Sequence, residues 1–375
     1  MHYKYTDIKA IVAEILENKK DDGGVKNIYF VGCGGSLGAL YPAKTFMERE
    51  SLTLKSGWVS SNEFVHSTPR DFGKNSIICL ACHKGNTPET IAAAKLGKEM
   101  GAAVIILTWL EESEIIEFGD YIIHYSFDAS PDHLAGDIDY AGEKTMCALQ
   151  VAVELLNQTE GYSNYDKFQQ GAGMITTVIR KARAHVAQRA LDFAEEYKND
   201  SVIYTMGSGA GYGAAYMESI CIFMEMQWIH SEPIHSGEFF HGPFEVTDTD
   251  VPFIVLKNYG KDCDENVKKN WITEYGADYK RPLVEIDSAV GAYSDSMNGE
   301  TRVLDVRAEA FIKRFSEHVI PIDCNEFDME GIDEDLRNYF AVLVAGVVLR
   351  SYADEIAYYR GHPLSVRRYM WCMEY

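Results

Sequence analysis

The chain alternates between short runs with hardly a polar residue and longer stretches whose apolar positions recur three or four apart. Asn27–Gly32 (NIYFVG), Ser76–Cys82 (SIICLAC) and Ala103–Trp109 (AVIILTW) are runs of the first kind. They predict strands buried on both faces, because a strand with one wet face would alternate apolar and polar side chains. A stretch such as Pro88–Gly101 (PETIAAAKLGKEMG) reads as a helix. Ile8, Ile11, Val12, Ile15 and Leu16 share one face of a further helix near the start. The segment from Tyr165 to about Asp200 is helical in pattern, and Tyr339–Leu349 (YFAVLVAGVVL) reads as a buried helix. Strands alternating with helices argue for βαβ units on a parallel sheet, with helices on both faces.

The pattern occurs twice. Placing Gly32 on Gly207 sets an offset of 175 residues, which pairs Glu63-Phe64 with Glu238-Phe239, His66 with His241, Ser76–Ala81 with Val251–Leu256, and Gly85 with Gly260. Register over about fifty residues without an insertion indicates an internal duplication. The expected organisation is a first module over 1–164, with the N-terminal helix, and a second over 165–375, with the linking helix and a C-terminal tail. A chain of 375 residues has room for two such cores.

Composition narrows the partners. The formal charge of −22 repels nucleic acid and anionic lipid, so neither is expected as a ligand. The longest apolar run is too short to cross a bilayer. The start of the chain lacks a charged-then-apolar signal layout, which leads us to expect a cytoplasmic protein with reduced thiols. Eight cysteines (33, 79, 82, 147, 221, 263, 324, 372) show no metal-ligand spacing, and the lone Cys79/Cys82 pair is weak ground for a zinc or redox site. The cysteines thus point to no metal site.

Two glycine turns join a strand to a helix start, where backbone N–H groups and the helix dipole attract anions. A dinucleotide site needs a third glycine, but Leu37 and Tyr212 stand there. The first turn therefore makes Gly34, Gly35 and Ser36 candidates for an anion, and the second loop (CHKGNTPET) adds Cys82, Lys84, Gly85, Asn86 and Thr87. Thr87 and Pro88 also read as an ordinary cap and first residue of a helix. A lysine at that end is less easily explained without an anion beside it. The corresponding stretch of the second module, LKNYGKDCD, is followed by acidic residues, so the anion is expected in the first module alone.

The segment His235–Glu245 (HSGEFFHGPFE) places titratable groups on a Gly/Pro-punctuated loop. On α-helical spacing, Glu225 shares a face with Cys221, Ile222, Trp228 and Ile229, a setting that raises a carboxyl pKa toward that of a general base. A buried glutamate satisfied by a backbone or subunit partner would look the same. Glu218, seven residues earlier, is expected on the same face.

On these residues both copies resemble sugar isomerase (SIS) domains, and the chain resembles double-SIS phosphosugar enzymes over nearly its full length. The isomerase half of glucosamine-6-phosphate synthase is similar in layout. The segments SGEFFHGPFE and RRYMWCMEY look more like those of the fructosamine-6-phosphate deglycases. The resemblance implies two α/β modules in tandem, each a five-stranded parallel sheet flanked by helices, in a homodimer or higher homo-oligomer with the active site near the interface. It implies Glu225 as the catalytic base and His241, sixteen residues on, as its acid-base partner. Glu218 is implied in a supporting role, and the sugar phosphate on the first module's loops. The implied reaction releases a hexose 6-phosphate and an amino acid from a 6-phosphorylated Amadori-type conjugate. An aldose-ketose isomerase and a non-catalytic phosphosugar sensor are the alternatives.

Cys82 and Lys84 stand where many SIS loops carry serines, which shifts phosphate contacts toward Lys84, Thr87 and backbone amides. The synthase's ring-opening lysine near the C-terminus has no counterpart, since no lysine follows Lys313, and no glutaminase segment precedes the first module. Both features favour deglycation. The tail residues Arg367, Arg368 and Tyr375 are within reach of such a site, although a solvated basic pair is the commoner fate.

Overall fold

The computed structural model describes residues 2–127, 138–261 and 301–370. The chain forms two compact units, Met1–Ala182 with Asp328–Leu343, and Arg183–Phe327 with Val344–Tyr375. The boundary expected at 164/165 coincides with the start of a long helix, Tyr165–Tyr197, and the units divide within that helix. Cys263, Cys372 and Tyr375 lie outside the described residues.

Unit 1 contains strands β1 (His2–Tyr3), β2 (Asn27–Gly32), β3 (Lys55–Ser60), β4 (Ser76–Ala81), β5 (Ala103–Thr108) and β6 (Tyr121–His124). They form one parallel sheet in the order β1-β6-β5-β4-β2-β3. The five strands expected of this half are β6 to β3, and the two-residue β1 extends the edge. Its helices are α1 (Ile8–Lys19), α2 (Gly34–Glu50), α3 (Ser61–His66), α4 (Pro88–Glu99) and α5 (Lys144–Thr159), with the first part of α6 (Tyr165–Tyr197). Strands β2, β4 and β5 are buried at every position, because helices cover both faces. One face packs Tyr29, Val31, Ile78, Leu80, Val104 and Ile106 against Phe64, Phe72 and the alanines of α4.

Unit 2 contains β7 (Tyr204–Gly207), β8 (Pro233–His235), β9 (Phe253–Lys257) and β10 (Val319–Asp323). These four described strands form a parallel sheet in the order β10-β9-β7-β8. That order repeats β5-β4-β2-β3, as a duplication requires. The described helices are α7 (Tyr212–Met217), α8 (Arg302–Ile312) and, with the end of α6, the larger part of α9 (Arg337–Tyr359). A π-helix, Glu218–Gln227, directly continues α7. The phenylalanines of the 235–245 loop belong to the core: Phe239 is fully buried, and Phe240 and Phe244 pack with it against Phe311. Among the described residues no helix is long and apolar enough to cross a membrane.

Candidate functional site

The candidate loops of unit 1 lie at the carboxyl ends of its strands, where open α/β sheets bind ligands. The Glu225 cavity of unit 2, lined also by His230, lies instead at the amino end of β7. In unit 1 the chain leaves β2 through Cys33 and enters α2 at Gly34, whose φ is +54°. The Ser36 and Leu37 N–H groups already bond the Cys33 carbonyl, at 3.1 and 3.4 Å. The second loop leaves β4 at Cys82, a buried thiol, and enters α4 at Pro88. Gly85 adopts φ +66°, and a β-carbon there would lie 2.1 Å from the Ser113 hydroxyl. Only glycine fits that turn, which Ile115 N–H fixes by bonding the Gly85 carbonyl at 3.0 Å. Lys84 and Asn86 are exposed on its outer side, and Thr87 is half-buried. Thr87 occupies the cap position of α4 without a side-chain bond to the helix, so capping does not occupy its hydroxyl.

The residue between Cys82 and Lys84 passed unremarked in the sequence. His83 bonds the Tyr125 hydroxyl at 2.5 Å and stacks on Trp109. Burial, with Lys144 and Lys84 nearby, pulls its imidazole down to about 4, so it is neutral near pH 7 and props the loop. Cys79 and Cys82 are both free. Burial pushes the Cys79 thiol up to about 12, which leaves the CxxC pair no reactive thiolate at that position.

In unit 2 the equivalent turn is filled from within. Gly209 takes φ +48° against Thr301, and the Asn258 amide donates to the Ser208 carbonyl at 2.8 Å and to Asp305 at 2.8 Å. Asp305 also accepts from Ser236 at 2.7 Å, yet burial pushes its carboxyl up to about 6. Next to it Arg302, 2% exposed, grips Asp323 through two bonds of 2.6 and 3.0 Å. Lys257 bridges Glu309 and Asp323, at 2.9 Å each. Burial works against the Asp323 anion, but the Arg302 and Lys257 bonds hold it at about 2. The two modules thus use the same strand-end position differently, one exposing loops and the other closing on an ion network.

Glu225 sits on the π-helix and is half-buried. Burial raises its pKa, opposed by the charge and hydrogen bond of Arg367. Arg367 Nε and Nη2 both lie 2.7 Å from Glu225 Oε1. The carboxylate opens on a cavity of about 730 Å³ in unit 2, lined also by Trp228, Ile229, Arg368 and Tyr369. Trp228 ends the π-helix at φ +56°, the one left-handed non-glycine residue among those described. It is wedged between the Arg368 guanidinium, 4.0 Å from its ring, and the His362 ring at 4.3 Å. The tail that carries these groups is tied down by Gln227, which donates to the His362 carbonyl at 2.8 Å, and by Arg360, which donates to the Gln227 carbonyl at 3.2 Å.

The π-helix corrects one expectation. With i→i+5 bonding a turn takes more than four residues, so a seven-residue spacing falls about half a turn short of alignment. Glu218 accordingly is 3% exposed in different surroundings, near Arg350 and Asp354, with Oε1 unbonded among the described residues. Burial, with Asp354 adding and Arg350 opposing, pushes its carboxyl up to about 8. It does not share the Glu225 face. His241 is exposed on a 3-10 turn, Phe239–His241, and is not among the residues lining the Glu225 cavity. Glu238 is exposed as well, and His235 bonds the Gly237 N–H at 3.1 Å. Among the described residues no group of three or more His, Cys, Asp or Glu is placed to hold a metal ion.

Over 351 residues the chain is 38% identical to the fructosamine deglycase of Bacillus subtilis (strain 168), covering 94% of this chain and 93% of that protein. It is 25% identical to the fructoselysine 6-phosphate deglycase of Escherichia coli K12 over 96% of this chain and 89% of the relative. Among solved structures, a candidate phosphosugar isomerase from Salmonella typhimurium LT2 superposes with a TM-score of 0.83 at 38% identity over 99% of both chains. Another from Bacillus subtilis gives 0.81 at 35% identity, over 99% of this chain and all of that one. No family model matches the chain.

Proposed function

The chain belongs to the fructosamine deglycase family, and from that premise we propose that it cleaves 6-phosphorylated Amadori-type conjugates into a hexose 6-phosphate and a free amino acid. The observation that carries the reading is Glu225, a carboxylate whose pKa is raised by burial at the wall of a ligand-sized cavity. A general base that works near neutrality needs that environment. Glu225 takes a proton from C1 of the ketoamine, giving an enaminol. Reprotonation at C2 produces an aldimine, and water hydrolyses it to the two products.

The phosphoryl group is assigned to the unit 1 loops: Gly34, Gly35 and Ser36 in the first, Cys82, Lys84, Gly85, Asn86 and Thr87 in the second. The φ values of Gly34 and Gly85 and the exposed Lys84 support that choice. His241 is assigned the proton transfers of ring opening and amine departure, since an imidazole can both donate and accept a proton. Its exposure suits a side chain that meets its partner groups in a homodimer, the assembly we assign to this cytoplasmic enzyme. The chemistry calls for no metal or organic cofactor.

The test is incubation with a fructosamine 6-phosphate, following hexose 6-phosphate release. Glu225→Gln should lower kcat by about 10²–10⁴ with the fold intact. Full activity in that variant would remove Glu225 from the mechanism. Release of glucose 6-phosphate from fructose 6-phosphate alone would instead favour an isomerase, the activity named for two structural neighbours.

A further inference from the structure

The chain is strongly acidic, yet it sinks one arginine beside its proposed base. The Arg367 side chain is 7% exposed and that of Glu225 24%. The guanidinium is anchored by its own segment, Nη1 donating to the Leu364 and Val366 carbonyls at 2.6 and 2.9 Å. Its remaining edge, Nε and Nη2, meets one carboxylate oxygen of Glu225 at 2.7 Å. An oxygen held by two charge-assisted bonds is a poor proton acceptor, because the partner cation stabilises the anion that has to react. If Glu225 is to act as a base, another anion has to take its place on Arg367.

The substrate supplies one. An amino acid joined to the sugar through its α-amino group carries a carboxylate only a few bonds from the carbon that loses its proton. We propose that Arg367 is the specificity residue for this carboxylate: the substrate displaces Glu225 from the guanidinium, and the released carboxylate then takes the C1 proton. The inference rests on the deglycase reading and adds to it the part of the substrate that is recognised. The direct Glu225–Arg367 contact requires the two substrate atoms to be near neighbours. That selects α-linked conjugates over those attached through a lysine side chain, whose carboxylate lies the length of that side chain further off. Arg368, held over Trp228 at the cavity wall, adds positive potential. Trp228 and Ile229 offer the apolar lining for the amino acid's own side chain.

The experiment compares kcat/KM for fructosylalanine 6-phosphate, its carboxamide and the ε-linked fructoselysine 6-phosphate, in the wild-type enzyme, Arg367→Met and Arg367→Lys. The wild type should prefer the α-linked carboxylate over the carboxamide by ~10²-fold, the scale for leaving a charged buried donor unpaired. Arg367→Met should bring that ratio to about 1. Arg367→Lys, which keeps the charge but not the fork, should retain ~10-fold. An unchanged ratio in Arg367→Met, or no preference in the wild type, overturns the assignment while leaving the deglycase reading standing. Absence of hexose 6-phosphate from every substrate overturns both.

Discussion

Glu218 offers a stability experiment independent of any substrate. Its carboxyl is pushed from an ordinary 4.5 to about 8 in the folded chain, chiefly by burial. Between those values the folded protein keeps a proton that the unfolded chain releases. Rising pH therefore favours the unfolded state, and stability falls by about 1.4 kcal/mol per pH unit. The loss begins near pH 5, reaches about 3 kcal/mol at pH 7 and levels off at about 5 kcal/mol above pH 8, once both states are ionised. Glu218→Gln has nearly the same shape and cannot ionise, so it should be the more stable protein at neutral pH.

Urea unfolding followed by tryptophan fluorescence at pH 5, 6, 7 and 8 measures this directly. The two proteins should unfold at similar urea concentrations at pH 5. The gap should widen with each pH step and stop widening beyond pH 8. A gap that stays constant with pH would mean that Glu218 is ionised in the folded protein and that burial does not hold its proton. A variant less stable than wild type at pH 7 would show that the carboxylate has a partner worth more than its desolvation cost.

Gly85→Ala should raise KM for the phosphorylated substrate at least ~10-fold, since its methyl would meet the Ser113 hydroxyl at 2.1 Å and its backbone is left-handed. Adding Ser113→Gly should recover part of that loss, which thermal stabilisation by a hexose 6-phosphate would report. Lys84→Met should raise KM by ~10–100-fold with kcat little changed, the cost of losing one charged hydrogen bond to phosphate. An unchanged KM would remove Lys84 from the site. Arg302→Met should cost about 3 kcal/mol in urea unfolding, because the buried Asp323 carboxylate loses both Arg302 bonds and keeps Lys257 as its remaining cation. A loss under 1 kcal/mol would show that Lys257 alone satisfies Asp323.

The strands were legible because β2, β4 and β5 are covered on both faces, so burial writes an unbroken apolar run into the sequence. The offset of 175 residues was equally reliable along the sheet: it sets His235, the end of β8, on Ser60, the end of β3. At the next strand it no longer holds, since β5 begins at Ala103 and β10 at Val319, 216 residues apart. That displacement hid the ion network of unit 2, whose members, Lys257, Arg302 and Asp323, lie far apart in sequence and form no motif. Only their convergence at the strand ends turns them into a core.

The helix carrying Glu225 was misread for a different reason. Its buried positions, Glu218, Ser219, Cys221, Ile222, Phe223 and Gln227, include pairs four and five apart, a spacing that α and π geometry both admit over two turns. The α reading still found Trp228 and Ile229 beside Glu225, because both lie just past the end of the helix at the cavity wall. It lost the position of Glu218, and with it the difference between a carboxyl sealed in the protein and one open to a ligand. The loop at 235–245 drew attention through its histidines and glutamates, but its phenylalanines fix it to the core. For the tail's Arg367 the sequence left open both a solvated pair and a place at the site. Burial in contact with Glu225 gives it a counter-ion, and a counter-ion to a base is a group that catalysis has to move.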